Sequence, residues 1–253
     1  MDKKQSHTDN LKFLQHETAD SLSFNDKIAK EYLEDNNVNI QKLIDKGLSK
    51  IQSTLKKKEL EKSKGLFFKR VVLAAEIVNN LHRERTFGHV KFQKLVYLCE
   101  KTANMELSKR YSKQVAGPMD TKFMHSIDRE LKKQKWFDVS IITSNGFNRY
   151  SYSPGENVSS YKLYFDRYYR ENKDRISWIL ETFKTAKTDQ VELVATIYAC
   201  LEELLDKNVK ITSEKLIQHV YEWSKEKKKY NEGRILSAYS WMIENNLYPK
   251  TYN

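Results

Sequence analysis

TKFMHSIDRELKKQKWFDVSIITSNGFNRYSYSP, residues 121–154, is the stretch on which the fold turns. Its first third has helical period. Phe123, Met124, Ile127 and Leu131 fall on one face, and Lys122, Arg129, Lys132, Lys133 and Lys135 are left for the outside. After Gln134 the period drops from 3.6 to 2. WFDVSIIT (136–143) and FNRYSYSP (147–154) flank Ser144-Asn145-Gly146. Asn-Gly between two β-rich runs is the strongest short hairpin signal, because both residues accept the positive φ of a type I′ turn. The expectation is one substantial β element, a hairpin over 137–153 turning at Asn145-Gly146, in a chain otherwise made of helix and loop.

Upstream, LFFKRVVLAAEIVNNLH (66–82) predicts a helix with Phe67, Val71, Ala74, Ala75, Val78 and Leu81 on its apolar face. KFQKLVYLCEKTANM (91–105) predicts a second, lined by Phe92, Leu95, Val96, Leu98 and Cys99. Gly117-Pro118 marks a turn, and Asp120 is placed to cap the helix over 121–135. Helix, helix, helix and hairpin is the order of a winged helix. The same pieces also pack together for purely structural reasons. The Gly-Pro turn is expected to set the angle between the second and third helices, with Gln93, Lys94 and Tyr97 close to it. That corner reads either as a partner-binding groove or as a structural joint.

Downstream, 161–187 predicts one more helix, whose tyrosines recur at helical spacing and so read as core and interface rather than as a base-stacking platform. A three-helix unit follows: 191–207 capped by Asp189, 214–229 capped by Thr212 or Ser213, and 234–246 opened by Gly233. The basic run Lys225, Lys227, Lys228 and Lys229 suits the dipole at a helix end. At the other end of the chain, residues 1–25 are polar, and Asn25 or Ser23 is placed to cap a helix over 26–35. Ile40, Leu43, Ile44, Leu48, Ile51 and Leu55 give 38–56 an apolar stripe, and KKKELEKSKG (56–65) reads as a boundary. The predicted fold is mainly α, a helical bundle with winged-helix-like units and one β-hairpin. It divides into an N-terminal helical arm (1–64), a winged-helix-like domain (65–158) and a helix-turn-helix-like domain (159–253).

Composition narrows the function classes. The 253 residues contain only 7 Gly and 3 Pro, too few for a turn-rich β fold. Lys and Arg outnumber Asp and Glu by 45 to 34, a formal charge of +11, which points to a polyanionic partner. Cys99 and Cys200 sit in apolar helical patterns and read as buried free thiols of a reducing compartment. MDKKQSHTDN has no apolar stretch behind its lysines and is not a signal sequence, and no run approaches a membrane span, so a cytoplasmic location is expected. The chemistry-bearing motifs are missing. The histidines are scattered, no P-loop, G-x-S-x-G or G-x-G-x-x-G occurs, and no cofactor or metal is expected. Glu202, Glu203 and Asp206 share one helical stretch and read as a solvated acidic face rather than a metal site. A non-enzymatic protein is expected. Lys122, Arg129, Lys132, Lys133 and Lys135 would meet phosphates, and Arg149 on the hairpin would enter a groove as a wing residue does.

Two stretches carry a family resemblance. FGHVKFQKLVYLCEK (87–101) with QVAGPMDTKFMHSIDRELKKQKWF (114–137) resembles the Panacea or SocA-like antitoxin domain, which pairs a K-x-Q-K-L-x-Y helix with a Gly-Pro turn. Lys91, Gln93, Lys94, Leu95 and Tyr97 match that helix, and Gly117 and Pro118 match the turn. The local form Ala-Gly-Pro-x-Asp, ending at Asp120, is closer to a domain that accompanies type I restriction–modification specificity subunits. KTDQVELVATIYACLEELL (187–205) through SAYSWMIENNLYPK (237–250) looks like the C-terminal part of the same proteins. The resemblance spans roughly 66–250, with no segment like the two large target-recognition domains of a specificity subunit. It implies a non-catalytic, nucleic-acid-associated accessory module of a bacterial restriction-like or phage-defence system. The alternative it implies is a Panacea-type antitoxin or adaptor that neutralises a toxin by protein contact, with Gln93, Lys94, Tyr97, Gly117, Pro118 and Asp120 at the partner. A small nuclease with an unrecognised site is a third reading.

Overall fold

The computed structural model describes residues 35, 39–105, 111–144 and 147–249. The expected helix over 26–35 and its caps lie outside them, apart from Asp35. The chain divides into two units, Met1–Lys64 and Gly65–Asn253. Helix α1 (Ile40–Leu81) has bounds that cross this division. KKKELEKSKG therefore continues a helix instead of ending one. Lysine and glutamate are good helix formers, and Gly65, with open space around it, adds only a propensity cost. In the first unit, the stripe residues Ile44, Leu48, Ile51 and Leu55 are exposed.

The second unit is mainly helical. After α1 come α2 (His89–Thr102), strands β1 (Ser112–Gln114) and β2 (Gly117–Met119), α3 (Thr121–Lys133), β3 (Phe137–Ser144) and β4 (Phe147–Pro154). Helices α4 (Tyr161–Tyr168), α5 (Lys173–Phe183), α6 (Thr188–Asp206), α7 (Ser213–Trp223) and α8 (Glu232–Glu244) complete it. The C-terminal half of α1 was expected to bury one face. Instead Val71 through Ala75, Ile77 and Val78 are all fully enclosed. A helix apolar on all sides needs neighbours on all sides, and side-chain contacts identify them. Phe67 meets Phe123 of α3, Phe68 meets Trp136 and the α4 tyrosines, Arg70 reaches α2, and Glu76 reaches Tyr161. Helix α2 packs on α5 and α6, and α6 carries α7 and α8 on its flanks. The buried apolar cluster runs from Val71 to Leu247 without a break at the hairpin.

The hairpin forms as expected. β3 and β4 pair antiparallel from Phe137↔Pro154 to Ser144↔Phe147, which leaves a two-residue connection at 145–146, outside the described residues. Phe137, Val139 and Tyr152 point inward, while Asp138, Ser140 and Ser151 face solvent, the period of 2 read from the sequence. A second, three-residue ladder joins β1 to β2, with Gln114↔Gly117 closing a turn at Val115-Ala116. Gly117-Pro118 is thus the start of a strand rather than the turn itself. Pro118 is tolerated there because each strand has a single partner among the described residues, so both are edges there.

Four helix boundaries also differ from expectation. The 161–187 stretch is interrupted after Tyr168. Tyr169 leaves helical geometry (φ −122°, ψ 20°) and turns its hydroxyl onto the Lys69 carbonyl at 2.8 Å. Helix α6 begins at Thr188, where Gln190 accepts from the Lys187 amide, so Asp189 lies inside its first turn. Helix α7 stops at Trp223, and Lys225–Lys229 forms a 3₁₀ turn. Its Lys227 is buried against Glu192, so it does not serve as a solvated helix end. Asn231 rather than Gly233 caps α8, while Asp120 and Thr212 cap α3 and α7 as expected.

Helices α2, α3, α6 and α8 end alike. The residue past the cap has φ between 49° and 57°, and the next amide bonds back five residues. At three ends that residue is asparagine (Asn104, Asn208, Asn246), which tolerates the left-handed region. At α3 it is Lys135.

Candidate nucleic-acid interface and the buried corner

Helix α3 presents the cations and is held from behind. Its N-terminus is tied by Asp120, whose Oδ1 accepts from the Phe123 amide at 3.0 Å. Phe123, Met124, Ile127 and Leu131 are buried. Lys122, Arg129, Lys132, Lys133 and Lys135 are all exposed, so the five side chains predicted to face outward do so. They are not equivalent. Lys133 lies 3.4 Å from Glu130, and Lys135 binds Glu156 at 2.7 Å, which holds the Lys135 ammonium above its ordinary range. Lys122, Arg129 and Lys132 stand outside ion pairs among the described residues. Asp128 lies within electrostatic reach of Lys132. Burial pushes its carboxyl up, although the Tyr152 hydroxyl at 3.1 Å and Lys132 pull the other way. Arg149 lies on β4 opposite Ile142, and its side chain is outside the described residues.

The six residues of the Gly-Pro corner are all buried rather than presented to solvent, and the turn is met directly by Lys94. Lys94 is fully buried and donates from Nζ to the Pro118 carbonyl at 2.8 Å. Burial, together with Lys227 nearby, lowers its pKa to about 8 against the pull of Glu192. Gly117 needs to be glycine: its φ is +104°, and a Cβ would lie 2.8 Å from Thr196 Oγ1 on α6. Tyr97 is buried, donates to Glu202 at 2.7 Å and lies edge-on to Tyr111 and Tyr198. Gln93 and Pro118 are buried as well. In this arrangement the motif works as a joint. Lys94 holds the β2 backbone to α2, and Gly117 lets β2 approach α6.

Beneath the corner lies a charge cluster that the sequence did not reveal. Arg70 is 1% exposed and donates from Nε to Glu100 at 2.6 Å, from Nη2 to Glu100 at 3.2 Å and from Nη1 to Asp120 at 2.6 Å. Its guanidinium carbon lies 3.7 Å from the Phe123 ring centroid, and the Tyr111 hydroxyl donates to Glu100. Burial alone would lower the Arg70 pKa, but the two carboxylates more than reverse that and keep it protonated. Arg70 was masked by the apolar run around it and Glu100 by its solvent-like neighbours in CEKT. A second cluster joins Glu192 to Lys227 (2.7 Å), Lys229 (3.1 Å) and the Tyr230 hydroxyl (3.2 Å). Burial pushes the Glu192 carboxyl up, yet the two lysines hold it below its usual range.

Two of the three acids in the acidic stretch of α6 have side-chain partners, while Asp206 is exposed. Glu202 takes Lys101 and Tyr97, and Glu203 takes Lys113 and His219. Among the described residues no group of three or more His, Cys, Asp and Glu is placed to hold a metal ion. Cys99 and Cys200 are buried free thiols, and burial pushes the Cys200 thiol up to about 12. No helix among the described residues is long and apolar enough to cross a membrane.

One histidine gives the fold a pH dependence. His89 lies against Tyr150 of the hairpin (4.0 Å between centroids, rings tilted by 32°), and its Nε2 is buried without a hydrogen-bond partner among the described residues. Burial, reinforced by His125, lowers its pKa from 6.5 to about 4. The folded state therefore binds this proton less readily than the unfolded chain. The associated stability is complete above pH 6.5 and is lost as pH falls toward 4, on the order of 2 kcal/mol after allowing for partial exposure. Urea midpoints of wild type and His89→Phe across that window should diverge, with the variant less sensitive to acid. Parallel pH curves would refute the assignment.

No protein-family model and no curated protein matches the chain. The motif residues quoted above are what carry the resemblance.

Proposed function

We propose that the chain is a non-catalytic, nucleic-acid-associated accessory module of a restriction-like or phage-defence system, with α3 as its phosphate-facing element. The observation that carries this reading is the one-sided helix. Its apolar face is enclosed, and its other face exposes four cations, three of them outside ion pairs among the described residues, with Lys135 exposed just past its end. Such a face exchanges condensed counterions for lysine and arginine, so binding weakens steeply with salt. The formal charge of +11 supports the same class of partner.

Replacing Lys122, Arg129 and Lys132 by glutamine should leave the thermal midpoint unchanged and reduce the salt slope of duplex binding by about 1 for each phosphate no longer neutralised. Lys135→Gly is the companion variant. It removes a cation and also relieves the left-handed φ, so any loss of affinity comes with a thermal midpoint at or above that of wild type. If the wild-type protein fails to bind duplex DNA or RNA at low salt, the reading falls.

A second reading, an antitoxin or adaptor acting by protein contact, draws support from one observation. Ile44, Leu48, Ile51 and Leu55 are exposed at helical spacing, as an apolar protein interface requires. Binding through that stripe would be insensitive to salt.

A further inference from the structure

The aromatic residues of α4 and the residue after it fall into two rows. Tyr161, Phe165 and Tyr169, spaced four apart, are at most 3% exposed. Tyr164 and Tyr168, also four apart, lie on the other side, with Tyr164 at 41% and the adjacent Leu163 at 78% exposure. The sequence reading placed the whole tyrosine cluster in core and interface. The structure divides it into an inner row enclosed in the core and an outer pair that is only partly covered, with Tyr164 exposed and Tyr168 half-buried against the edge of the core.

The outer pair is pre-arranged. The two rings are nearly parallel, 25° apart with centroids 6.4 Å from each other. Phe68 of α1 stands edge-on to both, at 88° and 5.1 Å from Tyr164 and at 87° and 6.3 Å from Tyr168. Trp136, the residue after Lys135, lies 6.2 Å from Tyr164, so the outer pair adjoins the basic end of α3. Rings held this way offer π faces without losing much rotamer freedom on binding.

The surrounding charge selects the ligand. Lys69 Nζ lies 5.5 Å from the Tyr168 centroid. Lys69, Arg167 and Arg170 are exposed and outside ion pairs among the described residues, while Asp166 is bound by Lys173 at 2.6 Å. A cation resting on one ring opposes a quaternary ammonium guest, which such aromatic groups otherwise favour. A flat, neutral ring joined to a phosphate fits both features. We propose that Tyr164 and Tyr168, backed by Phe68, stack an unpaired base of a single nucleic-acid strand, with Lys69, Arg167 and Arg170 holding the adjacent phosphates. The proposal rests on the nucleic-acid reading above and adds to it a strand-separated substrate.

The test compares fluorescence anisotropy of a short labelled oligothymidylate with that of an abasic strand of the same length, which keeps the phosphates and lacks the bases. Wild type should bind the oligothymidylate about tenfold more tightly, the scale of one or two stacked bases. Tyr164→Leu with Tyr168→Leu should bring that affinity down to the abasic level and leave abasic and duplex binding unchanged. Tyr164→Phe with Tyr168→Phe, which keeps the π faces, should retain it. Equal wild-type affinity for the two strands overturns the stacking site while leaving the phosphate-binding reading intact, and so does a loss in the phenylalanine pair equal to that in the leucine pair. No binding of any strand at low salt overturns both. If the leucine pair lowers the thermal midpoint, the wild-type comparison and the phenylalanine pair still decide.

Discussion

Replacing Arg70 with leucine is expected to destabilise the protein by about 3–5 kcal/mol, because it leaves two buried carboxylates without their cation. Glu100 and Asp120 both depend on this guanidinium, and Glu100 is fully enclosed. The damage reaches three elements at once. Arg70 sits on α1, Glu100 on α2, and Asp120 at the cap of α3, so the corner that aims the basic helix is left without its central cation. Adding Glu100→Gln and Asp120→Asn to Arg70→Leu should recover part of the stability. Neutral amides need no cation, asparagine still caps a helix, and glutamine still accepts from Tyr111. Chemical denaturation of wild type, the single variant and the triple variant checks this. A single variant as stable as wild type, or a triple variant no better than the single, would show that the cluster is not coupled in this way.

Gly117→Ala is expected to cost roughly 2 kcal/mol or more, from a strained backbone combined with an overpacked contact. At φ +104° an L-residue is disfavoured whatever the space, and here the new Cβ would stand 2.8 Å from Thr196 Oγ1. Thr196→Ala in the same chain removes the clash but not the backbone strain, so it should restore only part of the stability. Full restoration would assign the whole effect to packing, and an unchanged midpoint in Gly117→Ala alone would refute both contributions. Because β2 lies against α2 and α6, amide exchange should rise there in the variant before it rises in the hairpin.

How much was legible follows the range of the forces. Period and turn chemistry are local, so the hairpin register, the Asp120 cap and the outward face of α3 could all be read from neighbouring residues. The break after Tyr168 could not, because Tyr169 leaves the helix to reach the Lys69 carbonyl, a partner 100 residues away. The continuous α1 was missed for the opposite reason. A charged run reads as the end of a helix, yet its lysines and glutamates are intrinsically helical. The K-x-Q-K-L-x-Y motif was visible as a pattern, but its direction was not. In α2 every residue from Lys91 to Glu100 is buried, so polarity in the sequence gave no guide to which side chains meet solvent.

By itself, the sequence determined that this protein is mainly helical with a hairpin over 137–153 and that it carries an excess of positive charge on an amphipathic third helix. Those properties depend on composition and on spacings within one or two turns. Only the tertiary structure decided which charges are available. Arg70, Lys94 and Lys227 were drawn inside because each finds an oxygen there, Lys133 and Lys135 were paired at the surface, and Lys122, Arg129 and Lys132 were left outside ion pairs among the described residues. It also decided which tyrosines face outward, since that depends on where Phe68, brought in from a distant helix, stands against α4. A charge or a ring is placed by its desolvation cost and its partner, and the partner is chosen by the fold rather than by the neighbouring residues.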